Sequence, residues 1–329
     1  MKEQYLARLE LFAENAQRIK KEFPWQNAQV NRLAALLYTV ENKTADPEAI
    51  RAHHALIKEN TRMFSSFRGT SAISIATLLS LSAKPEQQLA ETLAVYELMK
   101  DVKFRASDYL VIAAYQIAAH TASEQYVQVI ERTKAFFDGM RAKHPFLTGQ
   151  DDYIFAAMLG ISNIGIEHGV ERLEQLYVAL KPEFFSGNSV QALTQVMLLG
   201  EEDGGSAERV LSLREAFRAQ DIRMDKEYTL PSLGILSLLP YEQKELVRDV
   251  SETYELLRTR KGFGNWSINK QELLLLSAAL VSYTYIDDVK SGIITSALST
   301  SLTNIIIAQQ TAIAVAAATS AAAASSSSN

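Results

Sequence analysis

The sequence predicts an all-helical protein made of helix hairpins that recur about every forty residues, preceded by a three-helix segment. Three observations support this fold class. Only 7 prolines and 14 glycines occur in 329 residues, whereas β-sandwiches and βαβ proteins need many more turn residues. Apolar residues recur at helical spacing. Two kinds of helical segment then alternate along most of the chain.

The N-terminal segment, 1–68, predicts three helices. The first covers 2–22 and the second 27–40, because apolar residues repeat on one face of each. Asp46 is placed to cap the third helix, with Pro47 at its first position, which proline favours.

Residues 69–290 predict the hairpin repeats. One segment type is apolar on nearly every side, and the other is amphipathic. Apolar segments are expected at Ile73–Leu81, Tyr109–Ala119, Tyr153–Ile161, Val190–Leu199, Leu233–Leu239 and Leu273–Val281. Equivalent positions in the amphipathic segments, each about forty positions after the one before, are Tyr96, Phe136, Tyr177, Arg214 and Tyr254. A fixed period of this length is typical of stacked helix pairs.

Polar residues precede the apolar segments at the same phase of the repeat, where they could cap the next helix. The candidates are Ser107 or Asp108, Asp151 or Asp152, Asn188 or Ser189, Asp225, and Ser267 or Asn269. The apolar helices must be covered on most sides, so we expect them to form an inner layer. The sequence favours an open α-solenoid, and closure into an α/α toroid is the alternative.

The last segment, residues 291–329, carries no charged residue. A bilayer span needs about twenty predominantly apolar residues, and Asn304, Gln309 and Gln310 interrupt the most apolar window. We therefore expect a final helix that packs on the last repeat and ends in an Ala/Ser tail. Membrane association through this segment is the alternative.

Composition narrows the function classes. The net charge is −5 and the chain has no long basic run, so a nucleic-acid partner is not expected, although a fold could gather scattered cations. The absence of cysteine excludes disulfides and thiolate sites and fits a reducing compartment. The N-terminus has no early apolar run, which favours the cytoplasm.

No catalytic signature, metal-ligand spacing or phosphate-binding loop is present, so we expect no catalytic residue, metal site or cofactor. Three regions remain as binding candidates. Arg68 could bind an anion or cap a neighbouring helix end. Trp266 lies in an aromatic, flexible connector, where packing of Phe263 and Trp266 beneath the next repeat is the ordinary expectation. The acidic run, which could bind a cationic partner or ion, comprises Glu201, Glu202 and Asp203.

Several stretches resemble an uncharacterised bacterial family, domain of unknown function 4003, over essentially the whole chain. They are 64–69 (FSSFRG), 151–157 (DDYIFAA), 200–203 (GEED), 264–267 (GNWS) and 305–310 (IIIAQQ). The resemblance implies no activity, cofactor or site residue. It implies that the uncharged tail belongs to this type of protein.

The function predicted from the sequence is therefore open between three classes. A helical-repeat scaffold that binds a protein or peptide partner is favoured. The alternatives are an α/α-toroid enzyme with a small-molecule pocket and a membrane-associated or self-assembling protein that acts through its tail. Fold alone does not choose among them.

Overall fold

A computed structural model describes residues 3–200, 207–287, 306–318 and 320. Within these ranges all regular secondary structure is helical, and no strand is formed. The all-helical fold class predicted from the sequence is confirmed.

Helices of the two predicted types alternate along the chain. The mostly buried helices are α2 (Ala28–Val40), α4 (Ala72–Leu81), α6 (Asp108–His120), α8 (Tyr153–Ile161), α10 (Gly187–Leu199), α12 (Leu230–Leu238) and α14 (Lys270–Asp287). The amphipathic helices are α1 (Glu3–Glu22), α3 (Pro47–Asn60), α5 (Pro85–Asp101), α7 (Tyr126–Lys143), α9 (Ile166–Leu180), α11 (Ala207–Arg218) and α13 (Gln243–Thr259). A further helix, α15, covers residues 306–318.

The chain divides into two compact units. Unit I comprises Met1–Gln17 and Glu171–Gln309, and unit II comprises Arg18–Val170 and Gln310–Asn329. The divisions fall within α1, α9 and α15. The three sequence segments 1–68, 69–290 and 291–329 remain a prediction about sequence pattern.

In unit II the buried helices run in the same direction. The Tyr38 hydroxyl near the end of α2 lies 2.7 Å from the Ser80 hydroxyl near the end of α4. At the other end, the Ser71 backbone N–H before α4 donates to the Asp108 carboxylate at the start of α6, at 2.6 Å. The Arg105 N–H before α6 donates to the Tyr153 hydroxyl at the start of α8, at 3.3 Å. The beginnings of α2, α4, α6 and α8 therefore lie at one end of unit II.

The amphipathic helices of unit II pack on the buried helix that follows each of them: α3 on α4, α5 on α6 and α7 on α8. The closest approach is at Gly160 in α8. A Cβ atom there would lie 2.2 Å from the Thr133 hydroxyl and 2.9 Å from backbone atoms of Val129 and Thr133. Only glycine allows α7 and α8 to pack this closely.

An arginine in an amphipathic helix holds the end of the next buried helix in each unit. Arg132 donates to the carbonyls of Gly160, Ser162 and Ile164 at 2.7–2.9 Å. Arg209 donates in the same way to carbonyls 28, 30 and 32 residues further on, at 2.6–2.8 Å. The last carbonyls of a helix have no partner within it, so the guanidinium fork satisfies them. Its acceptors in unit I are Ser237, Leu239 and Tyr241.

In unit I the first part of α1 packs against α14 and the connector before it. Arg8 donates to the Thr284 hydroxyl at 3.0 Å and forms an ion pair with Asp287. The rings of Phe12 and Phe263 are 5.4 Å apart. Sequence periodicity gave no sign of this contact, because its partners lie far apart in the chain.

The helix caps agree with the sequence at three positions. Asp46, Ser107 and Asn269 accept backbone N–H bonds at the starts of α3, α6 and α14. Predictions at three other positions are wrong, and the third of them concerns the start of α8. Ser186, rather than Asn188 or Ser189, caps α10. Asp225 does not cap α12, because its carboxylate is bonded to Arg218 and Arg223.

At Asp152 the role differs again, since its carboxylate accepts the N–H of Gly149 at 2.9 Å, behind the start of α8. It thereby closes the turn before the helix instead of capping the helix itself.

Within the predicted final segment the structure describes a helix over 306–318, α15, and none of its side chains is exposed. Gln309 donates to the buried Ser232 hydroxyl of α12 at 2.8 Å. Burial explains the absence of charge within 306–318, because an unpaired buried charge is costly. Residues 291–305, 319 and 321–329, which include the predicted Ala/Ser tail, lie outside the described residues. No helix in the described ranges combines the length and apolarity needed to cross a bilayer.

Candidate functional site

Fully exposed aromatic side chains stand in the connectors that lead from an amphipathic helix to the next buried helix. In unit II they are Trp25, Phe64 and Phe146, with relative exposures of 97%, 97% and 98%. In unit I they are Phe185 and Trp266, which are also fully exposed. Exposed apolar residues are common on proteins, but large aromatic rings without any cover are unusual and call for an explanation.

These aromatic residues follow the helix repeat. The step from Trp25 to Phe64 equals the step from Phe146 to Phe185, and each is close to one repeat. The steps from Phe64 to Phe146 and from Phe185 to Trp266 are about twice as long, so each spans two repeats. An exposed aromatic therefore occupies an equivalent place in five connectors. Such a recurrence indicates a property of the surface and not five independent accidents of loop sequence.

Buried rings hold the connectors of unit II in place. Phe67, shortly after Phe64, packs edge-on against Tyr96 at 5.1 Å. Phe104 occupies the connector between α5 and α6 and packs against Tyr153 at 4.9 Å. The exposed Phe64 is thus presented by a backbone that its buried neighbour anchors.

The connectors of unit II lie together. Hydrogen bonds link Ser71 to Asp108 and Arg105 to Tyr153, so the connectors before α4, α6 and α8 are consecutive neighbours. The connector before α2 lies at the same end, because α2 and α4 run in the same direction. We call this end of unit II the aromatic end.

The aromatic end is rich in exposed cations. Four exposed acids, Glu22, Glu59, Asp101 and Asp151, lie in the same stretches. The exposed cations outnumber them and are Lys20, Lys21, Lys58, Arg62, Lys103, Arg105, Arg141 and Lys143. His54 adds no charge at neutral pH, because burial, and then the Lys58 cation, lower its pKa below the usual 6.5.

The opposite end of unit II has the reverse charge. Exposed Lys43 and Lys84 are the cations of its connectors. The exposed acids there are Glu41, Asp46, Glu48, Glu86, Glu124 and Glu167. A chain of net charge −5 therefore carries a positive end that its overall charge conceals.

Arg68, a predicted binding residue, lies next to the aromatic end but acts within the fold. Its guanidinium donates to the carbonyls of Lys58 and Thr61, and to the Thr61 hydroxyl at 3.1 Å. These bonds cap the end of α3, which is the ordinary role that the sequence offered for it.

Trp266 and Phe263 were expected to pack together beneath the next repeat. Phe263 is buried, with 1% exposure, and its ring contacts that of Phe12 in α1, whereas Trp266 is fully exposed. The packing expectation is therefore wrong for Trp266, and its place among the binding candidates stays a prediction. The other candidates, Glu201, Glu202 and Asp203, lie outside the described residues.

The three exposed rings of the aromatic end occupy periodic positions in the sequence. Trp25, Phe64 and Phe146 each lie in a predicted break between helices, at multiples of about forty residues. Within helices, recurring aromatic residues indicate the core. In the connectors the same periodicity does not separate exposed from buried rings, because the buried Phe67, Phe104 and Phe184 recur at similar steps.

The described residues contain no group of three or more His, Asp or Glu side chains arranged to hold a metal ion. A family model described as protein of unknown function (DUF4003) matches residues 15–312. Neither a curated protein nor a solved structure matches the chain. With nearly its full length matched, the chain belongs to the DUF4003 family, whose function is unknown.

Proposed function

We propose that the protein is a helical-repeat interaction protein and that the aromatic end of unit II binds a negatively charged partner surface. The observation that carries this proposal is the coincidence of exposed aromatic rings and exposed cations on one set of connectors, opposite an acidic end. Aromatic residues and arginine are enriched in binding surfaces.

The repeat scaffold supports the proposal in two ways. Arg132 and Arg209 each bind three carbonyls at the end of the next buried helix, an arrangement that we call the arginine clamp. Both clamps have the same sequence separations between the arginine and its acceptors, which favours an α-solenoid-like array of equivalent helix pairs. Stacked repeats present equivalent connectors along an edge, and such edges serve as extended binding surfaces.

Charge explains why the partner should be anionic. A cluster of exposed cations raises the local concentration of anionic partners and speeds their association. The acidic end repels the same partners, so the molecule would approach with the aromatic end first. The sequence favoured a protein or peptide partner; the surface supports any partner that offers negative charge together with apolar contacts.

Retention on a sulfonate cation-exchange resin at pH 7 and low salt tests this proposal. Because the sequence pI is about 5.7, a uniformly charged protein would pass through, whereas a protein with a positive end is retained. The double variant Lys58→Gln, Lys143→Gln removes two cations of the aromatic end. We expect it to elute at clearly lower salt than the parent protein.

The matched control is Lys84→Gln, Lys134→Gln, which removes the same charge away from the aromatic end. Lys84 precedes α5 at the acidic end, and Lys134 lies in the middle of α7, paired with Asp138. We expect this control to elute with the parent protein. Flow-through of the parent, or equal shifts of both double variants, would overturn the proposal.

A further inference from the structure

We infer that the partner surface is an anionic lipid bilayer, on which the aromatic end docks peripherally with Trp25, Phe64 and Phe146 in the interfacial region. This inference rests on the proposed function, since it names the partner of the same surface. It uses connector residues of unit II and does not involve the uncharged C-terminal segment.

The first argument is the kind of side chain. Tryptophan and other amphipathic aromatic residues concentrate at membrane–water interfaces, where the ring meets acyl chains and the polar edge meets headgroups. Interfacial binding combines such apolar residues with Lys and Arg that attract anionic lipids. Trp25 follows Lys20 and Lys21, Phe64 follows Arg62, and Phe146 follows Lys143.

The second argument is spacing. Trp25 and Phe64 stand on adjacent helix pairs, and Phe146 stands two pairs further along. Because packed helices lie about 8–10 Å apart, the rings are spaced out along the edge. The three rings are separate points along an edge and do not line one pocket, since each is at least 97% exposed. A peptide helix would need a shared apolar groove, whereas a flat interface can take separated rings.

The third argument is stiffness. A mobile connector would lose conformational freedom when it docks on the membrane, and this loss would weaken binding. Phe67 is buried against Tyr96 at 5.1 Å, and Arg68 ties the Phe64 connector to the end of α3. The connector is therefore already ordered before binding.

Electrostatics make the binding selective for anionic lipid. Each Lys or Arg close to an anionic bilayer strengthens binding, and this attraction decays within about a Debye length. The cytoplasmic location that the sequence favours would place the protein at the leaflet that carries anionic lipids.

Vesicle co-sedimentation of the full chain tests the inference. We use phosphatidylcholine vesicles with and without phosphatidylserine, and the variant Phe64→Ser, Phe146→Ser. We expect the parent to sediment with the anionic vesicles, less with neutral vesicles and less at high salt. The double variant should partition about tenfold less, because it loses two insertable rings.

The control is Val127→Ser, which removes an exposed apolar side chain from the first turn of α7, at the acidic end of unit II. We expect it to sediment like the parent. All substituted positions are exposed, so little change in the unfolding midpoint is expected, and this is measured alongside.

Tryptophan fluorescence locates the contact. The chain has two tryptophans, so Trp266→Phe leaves Trp25 as the sole reporter. We expect a blue shift of Trp25 emission on adding phosphatidylserine vesicles, and quenching by brominated lipid. A vesicle-bound protein whose Trp25 emission is unchanged would overturn the inference.

Other occupants of the surface give different results. A blue shift that grows with protein concentration without lipid would assign the surface to self-association. Quenching of Trp25 by an oligothymidylate, without vesicle binding, would assign it to single-stranded nucleic acid, whose bases stack on aromatic rings. Either result overturns the lipid inference. If the protein is retained on the resin but does not bind vesicles, the lipid inference is wrong and the proposed function stands. If it shows neither resin retention nor vesicle binding, both proposals are wrong.

Discussion

Asp225 illustrates, at the scale of single residues, how the surroundings of a polar residue decide its role. The sequence predicts a helix cap at Asp225, yet Arg218 and Arg223 bind its carboxylate at 2.6 and 3.1 Å. Ionised partners form stronger hydrogen bonds than a backbone N–H does. Thr229 occupies the N-cap position of α12 instead.

The Asp225 ion pairs predict a pH-dependent contribution to stability. Burial alone would raise its pKa, but the hydrogen bonds from Arg223 and Arg218 outweigh burial and lower the pKa from 3.8 to about 2. A carboxylate whose pKa falls on folding stabilises the protein above the unfolded value, and this contribution is lost as the pH drops through the folded value. We expect Asp225→Asn to lower the free energy of unfolding at pH 7 by about 1 kcal/mol.

The difference between Asp225→Asn and the parent should shrink as the pH falls from about 4 to 2, because the carboxyl group of the unfolded chain is protonated in this range while that of the folded protein still has to take up its proton. Urea unfolding at a series of pH values measures it. A difference that stays constant down to pH 2 would show that the ion pairs are not its source.

Which connector residues cap a helix could be predicted only in part. Asp46, Ser107 and Asn269 are the caps that the sequence indicated. Before α10, several Ser and Asn side chains lie close together in sequence, and each could accept the same N–H bonds. Ser186, two residues after the buried Phe184, is the residue that caps α10. Such tertiary contacts are not written in local sequence.

The arginine clamp is the device that joins consecutive elements. In unit II the half-buried Arg132 reaches from α7 to three carbonyls at and beyond the end of α8. In unit I, Arg209 does the same from α11 to the end of α12. Apolar periodicity predicted the helix types and their order, but it did not predict the clamp. In sequence, an arginine on an amphipathic helix cannot be distinguished from an ordinary surface charge.

The clamp predicts that lysine cannot replace arginine at position 132. The ammonium group of lysine is a compact charge and cannot match the planar fork that serves three acceptors. We expect Arg132→Lys to lower the free energy of unfolding by about 1.5–3 kcal/mol, since hydrogen bonds to charged groups are lost and carbonyls are left unpaired.

Urea unfolding compares this variant with Arg141→Lys, which changes an exposed arginine of the same helix and should leave stability within about 0.5 kcal/mol of the parent. Equal stabilities of the two variants would mean that the clamp adds nothing beyond a surface charge.

For the molecule as a whole, the sequence contains no signal for the long-range contacts of α1. The first part of α1 belongs to unit I with α13 and α14. Arg260 forms an ion pair with Glu10, and Arg8 pairs with Asp287. Contacts between residues so distant in sequence leave no periodic trace, because periodicity reports only which face of a helix is buried.

The exposed aromatic rings escaped sequence analysis for a related reason. An aromatic residue in a loop is compatible with packing beneath a neighbouring helix, as Phe263 does, or with full exposure, as in Trp266. Only the tertiary structure tells the two apart. It also gathers cations from connectors far apart in sequence onto one end of unit II, so a chain with a net negative charge can still present a positive surface.

The contact between α1 and α14 makes a prediction about the cooperativity of unit I. Phe12 is fully buried, and its ring lies 5.4 Å from that of Phe263. Truncating a buried phenylalanine to alanine costs about 3–5 kcal/mol, through lost transfer free energy and the cavity left behind. We expect Phe12→Ala to lower the free energy of unfolding by this amount and to speed amide hydrogen exchange in α14, because α1 covers that helix.

Leu6→Ala is the control, since Leu6 lies on the same helix but is 42% exposed and should cost less than about 1 kcal/mol. Hydrogen exchange read by mass spectrometry distinguishes the two variants. If α14 exchanged at the parent rate in Phe12→Ala while α1 alone lost protection, α1 would be a separately opening element. Accelerated exchange in both helices instead means that unit I requires residues from both of its separate chain segments in order to fold.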